Sequence, residues 1–300
     1  NAIAPEFATR AGFVNRTGIV EGSAFNRLSW YGGRGATIEN FTTFFGLNRL
    51  WDYDDFALDG AIEGKEEAIA DLALRGGWSV EGHAERGFVR FTPGTFAGYE
   101  VGGPAGPAPF VPADEVTSIS GSLSLDTPTF QSFSASVNVG FGDAPIFAEA
   151  GEGHGFELGA GLALRPAALI RIDAGTQFVR LFRDRDDSEF ARAIIPRIKA
   201  EFQPRRSVFF RFIGEYRAER QAALIDPESG NPILIGGLPA SAIDLNVFRM
   251  DWLAAFEPTP GTALYFGYGS TLEDTGALWF SGLRRANDGF FLKAAYQIRR

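Results

Sequence analysis

The sequence predicts an all-β fold: an antiparallel transmembrane β-barrel occupying residues 1–300 as one domain. Three observations carry that expectation. Long segments alternate apolar and polar residues with period two, which places successive side chains on opposite faces of a strand. Proline-bearing tight turns alternate with longer links, the arrangement of outer-membrane barrels. No apolar stretch reaches the roughly 18 residues that a membrane helix needs.

The alternation is clearest in the second half of the chain. Phe290, Leu292, Ala294, Tyr296 and Ile298 oppose Phe291, Lys293, Ala295, Gln297 and Arg299. Val208, Phe210, Phe212, Gly214 and Tyr216 oppose Ser207, Arg211, Glu215 and Arg217. Ile170, Ile172, Ala174 and Phe178 oppose Arg171, Asp173, Gly175 and Gln177. Ile194, Ile198, Ala200 and Phe202 oppose Arg197, Lys199 and Glu201, and Phe248, Met250, Trp252, Ala254 and Phe256 oppose Arg249, Asp251 and Glu257. Phe133, Ala135, Val137, Val139 and Phe141 oppose Ser132, Ser134, Ser136 and Asn138. Such strands outrun the five or six residues typical of a sandwich.

Tight turns are expected at 126–129, 164–167, 203–206 and 257–261, each with a proline that presets the bend and cannot donate to a ladder. Longer links are expected at 142–153, 183–189, 220–243 and 271–288. Fainter strands precede them near 114–126, 77–91, 63–76, 37–56 and 17–31. About 13 strands result, and because single-chain bacterial barrels have even counts, the chain reads as beginning partway round a larger even-stranded barrel. Short turns are then periplasmic, with the C-terminus on that side.

Composition bounds the function. A net charge of −9 argues against a nucleic-acid partner, which calls for a basic face. Zero cysteine suits an oxidising compartment. No basic-then-apolar leader stands at the start of the sequence, so an export signal is expected upstream.

No catalytic residue, cofactor or metal site is expected, and the chain does not read as an enzyme. The two histidines, His83 and His154, lie far apart for a zinc site or a shared triad. The acidic runs 51–59 and 183–189 offer carboxylates for calcium, or for ions bridging lipopolysaccharide, yet lack the glycine placement of an EF-hand; solvated loops are favoured. Gly102–Gly106 lacks the Lys-Ser/Thr of a phosphate loop. Trp30, Trp51, Trp78, Trp252 and Trp279 read as an interfacial girdle, with sugar stacking on Trp51, Tyr53 or Trp279 as the alternative. The candidate functional residues are one charged row: Arg171, Asp173, Arg197, Lys199, Glu201, Arg211, Glu215, Arg249, Asp251 and Lys293. They form either a wall selecting a solute or a cross-strand ion-pair ladder; interleaved signs favour the ladder.

Five motifs occur in order: Ala11-Gly-Phe-Val-Asn-Arg-Thr-Gly18, Leu74-Arg-Gly-Gly-Trp78, Arg90-Phe91, Pro260-Gly-Thr-Ala-Leu-Tyr-Phe-Gly-Tyr-Gly269 and Phe290-Phe-Leu-Lys-Ala-Ala-Tyr296. Together they resemble the C-terminal barrel, a domain of unknown function, of bacterial proteins that begin with a family 9 carbohydrate-binding-like domain. The resemblance spans nearly the whole chain. It implies a sugar-binding β-sandwich and the first barrel strands ahead of Asn1, and it transfers no catalytic residue. The expected role is an outer-membrane pore, receptor or anchor, with glycan a candidate ligand. The expected partners are membrane lipid, lipopolysaccharide and the barrel-assembly machinery, which reads terminal strands such as the one holding Tyr296 and Ile298. A plugged structural barrel acting as a platform for envelope partners is the alternative, and a soluble all-β binding protein the second. Exposed to water, the aromatic band would be an aggregation hazard.

Overall fold

Long alternating segments give long strands here, and they pair in chain order. A computed structural model describes residues 1–7, 16–56, 58–259, 261–274 and 282–296. The two-residue β1 (Ala2–Ile3) precedes β2 (Ile19–Tyr31), β3 (Ile38–Asp52), β4 (Glu63–Leu74) and β5 (Trp78–Arg90). A loop then carries β6 (Tyr99–Val101) and β7 (Ala108–Pro109). The chain continues through β8 (Glu115–Asp126), β9 (Phe133–Asp143), β10 (Gly153–Ala167), β11 (Ile170–Arg183), β12 (Glu189–Arg205) and β13 (Val208–Gln221). A second loop carries β14 (Ile233–Ile235) and β15 (Leu238–Pro239), ahead of β16 (Ile243–Thr259), β17 (Thr262–Asp274) and β18 (Arg284–Tyr296). Among the described residues there is no α-helix.

Fourteen strands form one antiparallel sheet in sequence order, β1 to β18, with β6, β7, β14 and β15 left out. Setting aside two-residue β1 leaves thirteen long strands, the number the alternation predicts. Among the described residues no ladder joins β18 back to β1 or β2, so the sheet has two ends. Residues 8–15, which include Ala11 to Asn15 of the first motif, together with Pro260, Trp279, and Gln297 to Arg300 of the last segment, lie outside the described residues.

Connections alternate without exception along the sheet. Links 32–37, 75–77, 127–132, 168–169 and 206–207 share one end with the β16–β17 junction, and 53–62, 91–114, 144–152, 184–188 and 222–242 share the other with the end of β17 and the start of β18. The link between β17 and β18 is shorter than the expected 271–288, because the two strands extend their pairing to Glu273↔Arg284. Three tight turns also fall later than the prolines suggested. Pro166, Pro204 and Pro258 sit inside strand ends, where the register shifts between Leu164 and Ala167, Phe202 and Arg205, and Phe256 and Thr259. A bulge leaves one residue unpaired, so proline's missing N–H costs no ladder bond there. At 75–77 the turn depends on Gly76 and Gly77 at φ 92° and 85°, a region that disfavours side chains.

Register carries one parity across the sheet. Phe141, Phe156, Phe178, Ile198, Phe210, Trp252, Phe266 and Phe290 all fall on one face. That face stays open: Trp252 is 53% exposed. Trp252 also corrects the girdle expectation, since it lies mid-strand against Phe212, ring centroids 4.4 Å apart. The opposite face is polar, although Phe25 and Phe44 stack on it at 5.8 Å.

The hydrophobic core lies in the long loops. Phe96, Phe110, Ile146, Ala150, Leu224 and Ile233 cluster there, joined by Phe190 from the start of β12. β6 pairs with β7 and β14, and β14 with β15, so loops 91–114 and 222–242 join across the intervening strands. The cluster packs on Leu181 and Ala191, a register pair on the polar face, so the loops lean to that side.

Ile146 is 1% exposed, and Ile146→Ala should cost about 2–5 kcal/mol through a cavity the cap cannot fully close. Hydrogen exchange should quicken in 91–114 and 222–242 while strand amides keep their protection; uniform protection loss would mean that cap and sheet unfold as one unit.

Candidate functional site

All ten charged candidates occupy the polar face, as their registers require. Arg171 pairs across the ladder with Glu201, and Asp173 with Lys199. Glu201 in turn faces Arg211, Arg197 faces Glu215, and Glu215 faces Arg249. Asp251 and Lys293 follow on β16 and β18, opposite Gly269 and Tyr265.

Their contacts divide the row. Arg171 bonds Asp173 at 3.1 Å, Lys199 bonds Glu201 at 2.7 Å, and Arg197 lies 3.7 Å from Glu215. Arg211, Arg249, Asp251 and Lys293 make no ion pair with another described residue. The first two ion pairs run along a strand, residue i to i+2, rather than across the ladder. The row is therefore partly ladder and partly unpaired charge, a mixture of both expectations.

Beside the row the wall turns neutral. Ser124, Ser136, Asn138, Gly159, Gly161 and Gly175 border a groove of about 510 Å³, flanked by Asp126, Arg197 and Glu215. Glycine leaves this volume open, because no side chain stands above the backbone. Asn138 Nδ2 donates to Ser124 Oγ at 2.7 Å. Such a surface offers donors and acceptors to a neutral polar solute.

On β4 and β5 the same face gathers Lys65, Glu67, His83 and Glu85. Lys65 Nζ lies 2.9 Å from Glu67 and 3.4 Å from Glu85. The sequence hinted at this cluster only through the shared parity of His83 and Glu85. His83 stands opposite Ser122 in the ladder, with no hydrogen bond between them, so no nucleophile–base pair forms there.

His154 opens β10, stacked on Phe182 at 5.5 Å. Its Nδ1 lies 2.5 Å from Asp184 Oδ1 and its Nε2 3.5 Å from Asp187 Oδ1. The neighbouring Asp186 accepts from the Ser188 side chain and from its N–H at 3.0 Å, and these bonds hold its carboxyl below the usual range. In the other acidic run, Asp52 accepts from Asp54 N–H and Asp59 from Gly60 N–H. Asp52, Asp59 and Asp186 therefore serve local turns, whereas Asp184 and Asp187 face His154 and Glu189 pairs with Arg180 and Arg192. Among the described residues, the one set of three or more acidic or histidine ligand atoms lying within 4.8 Å of one another is Glu67, His83 and Glu85. Trp51 packs edge-on to Phe56, 5.5 Å between centroids.

Sequence reasoning missed the ion pair that fastens the cap. Arg183 Nε donates to Glu149 Oε2 at 2.8 Å and Nη2 to Glu149 Oε1 at 2.6 Å. Nη2 also donates to Ala223 O, Nη1 to Ser188 Oγ, and Ile225 N–H to Glu149 Oε1. The Phe190 ring lies 5.1 Å from the guanidinium. The two side chains are only 7% and 2% exposed, and they tie three loops together. Neither residue carried a signal beyond lying in a polar link.

Arg183→Ala should destabilise the cap by about 3–5 kcal/mol, because it strands the Glu149 charge. Protease should then cut within 222–242. Adding Glu149→Leu should restore much of the resistance; a double variant as labile as the single would show that the pair's geometry, not the stranded charge, is what matters.

Comparison with known proteins finds no matching family model, no matching curated protein and no matching solved structure, so the site is read from its own geometry.

Proposed function

We propose that this chain is the wall of a bacterial outer-membrane β-barrel that acts as a pore, receptor or anchor. One observation carries the reading: an aromatic face stays uncovered along the long strands while the hydrophobic core lies elsewhere, in the loops. Water would penalise that face at about 25 cal/mol per Å². Hydrocarbon would not. The long strands, 11 to 17 residues each, meet or exceed the 9–11 or so that a tilted spanning strand needs.

Closure completes the proposal. Lipid does not tolerate unpaired strand edges. Across thirteen alternating strands β2 and β18 run the same way, so an antiparallel closure needs an odd number of further strands. β1 already lies antiparallel to β2, with Ala2 opposite Val20 and Ile3 opposite Ile19, and it sets the register for such a strand. This supports membership of a larger, even-stranded barrel. Short turns then face the periplasm, as does the C-terminal end of β18. Lipid, lipopolysaccharide and the assembly machinery are the proposed partners, and a glycan is the solute that the sequence resemblance suggests.

The packed loop cap favours a second reading, a barrel restricted at its outer end that serves as a platform. Its lean toward the polar face supports this.

In vesicles, bromine on mid-chain lipid carbons should quench Trp252 fluorescence more than that of Trp30 or Trp78, which lie near strand ends. Trp252→Arg should cost about 2–4 kcal/mol if the residue sits near the midplane. Extraction without detergent and no quenching by brominated lipid would sink the membrane reading. Bilayer conductance separates an open pore from a capped platform.

A further inference from the structure

The β4–β5 cluster carries more than a lumen wall requires. Glu67 and Glu85 stand directly opposite one another in the ladder. Like charges in that position destabilise a sheet unless a cation joins them. His83 shares their face two residues before Glu85. One oxygen of each carboxylate and one imidazole nitrogen lie within 4.8 Å of one another. His83 Nε2 is 3.6 Å from Glu67 Oε2 and 4.0 Å from Glu85 Oε2, beyond hydrogen-bond length.

The His83 side chain is 28% exposed, but its Nε2 points inward to the two carboxylates. Nε2 is shut off from solvent and has no hydrogen-bond partner. A buried polar atom left so costs about 1–3 kcal/mol. Lys65 neutralises the carboxylates but leaves the imidazole unsatisfied. A cation centred among the three atoms would satisfy all of them at once. With two sides of 3.6 and 4.0 Å and the third no longer than 4.8 Å, the centre lies about 2.0–2.5 Å from each corner, a small contraction at most from zinc–nitrogen and zinc–oxygen bond lengths.

We propose that Glu67, His83 and Glu85 bind a divalent transition metal of the zinc class, displacing the Lys65 ammonium. An imidazole ligand selects such ions over calcium or magnesium, which take oxygen alone. Ser120 and Ser122, opposite Glu85 and His83 in the ladder, are positioned to serve the outer shell. The site requires only that the three residues share a face, so it stands apart from the membrane reading.

The test uses the full chain in detergent, titrated with Zn²⁺ by calorimetry and with Co²⁺ by visible absorption. One site per chain is expected, with the absorption of a four- or five-coordinate cobalt ion. His83→Ala and Glu67→Gln should each weaken binding at least about tenfold. His154→Ala, which removes the other histidine, should leave it unchanged. Lys65→Met should tighten binding by removing the competing charge, and it guards against a variant that merely fails to fold. No binding by the wild type overturns the proposal, even where Lys65→Met binds, since the native lysine then holds the site. Undiminished binding in His83→Ala overturns it equally.

Discussion

Face parity, held in phase from strand to strand, is the constraint on which the rest of the molecule depends. A slip of one residue between any two strands would send every downstream aromatic to the polar face. The ladders run from Ile19↔Asp52 to Thr262↔Tyr296, and their irregularities cluster at strand ends. Confining bulges to the ends keeps Phe141, Phe210 and Phe290 on one side and Arg171, Arg211 and Lys293 on the other. Both the proposed lipid contact and the charged row rest on that arrangement.

Because the strands bury little between their own faces, conventional packing is displaced to one end. The cap supplies it: a small sheet, an aromatic cluster and a buried ion pair held by three loops. Glu149 and Arg183 would be a poor source of stability alone, since desolvation offsets much of their attraction. Their value lies in fixing loop geometry, because beyond each other they bond Ser188 on one link and Ala223 and Ile225 on another. Ala150, at φ 48° and wholly buried, shows how closely the 144–152 link is held against that pair.

Strand count, loop alternation and the shared face of the ten charges were legible because each follows from period-two alternation, a local property. Turn positions were less so. Pro166 signals a bend, but the strand absorbs it as a bulge and turns after Ala167 instead. The cap was not legible at all. Its cluster brings Phe110 together with Ile233, and its ion pair joins Glu149 to Arg183, residues that no spacing rule connects. The β4–β5 cluster was half visible: parity put His83 with Glu85, yet only pairing across the ladder brings in Glu67.

The polar face is electrically divided, and that division bears on any solute. On β4 and β5 the carboxylates Glu63, Glu67, Asp71, Glu81 and Glu85 outweigh Lys65. Serine, asparagine and glycine then predominate over β8 to β10, with Asp126 and Glu157 as the acidic exceptions. From β11 onward both signs mix, and Arg211 and Arg249 make no ion pair with another described residue. Half-exposed ion pairs add little stability, so fold maintenance alone explains the mixed sector poorly. In the proposed barrel, an acidic sector and one carrying unpaired guanidinium groups would both line the lumen. Low-dielectric surroundings would focus the field between them. A zwitterionic or dipolar solute would orient in that field, whereas a simple anion would be repelled along β4 and β5. The neutral groove between the two sectors is where such a solute could rest without desolvating a charge.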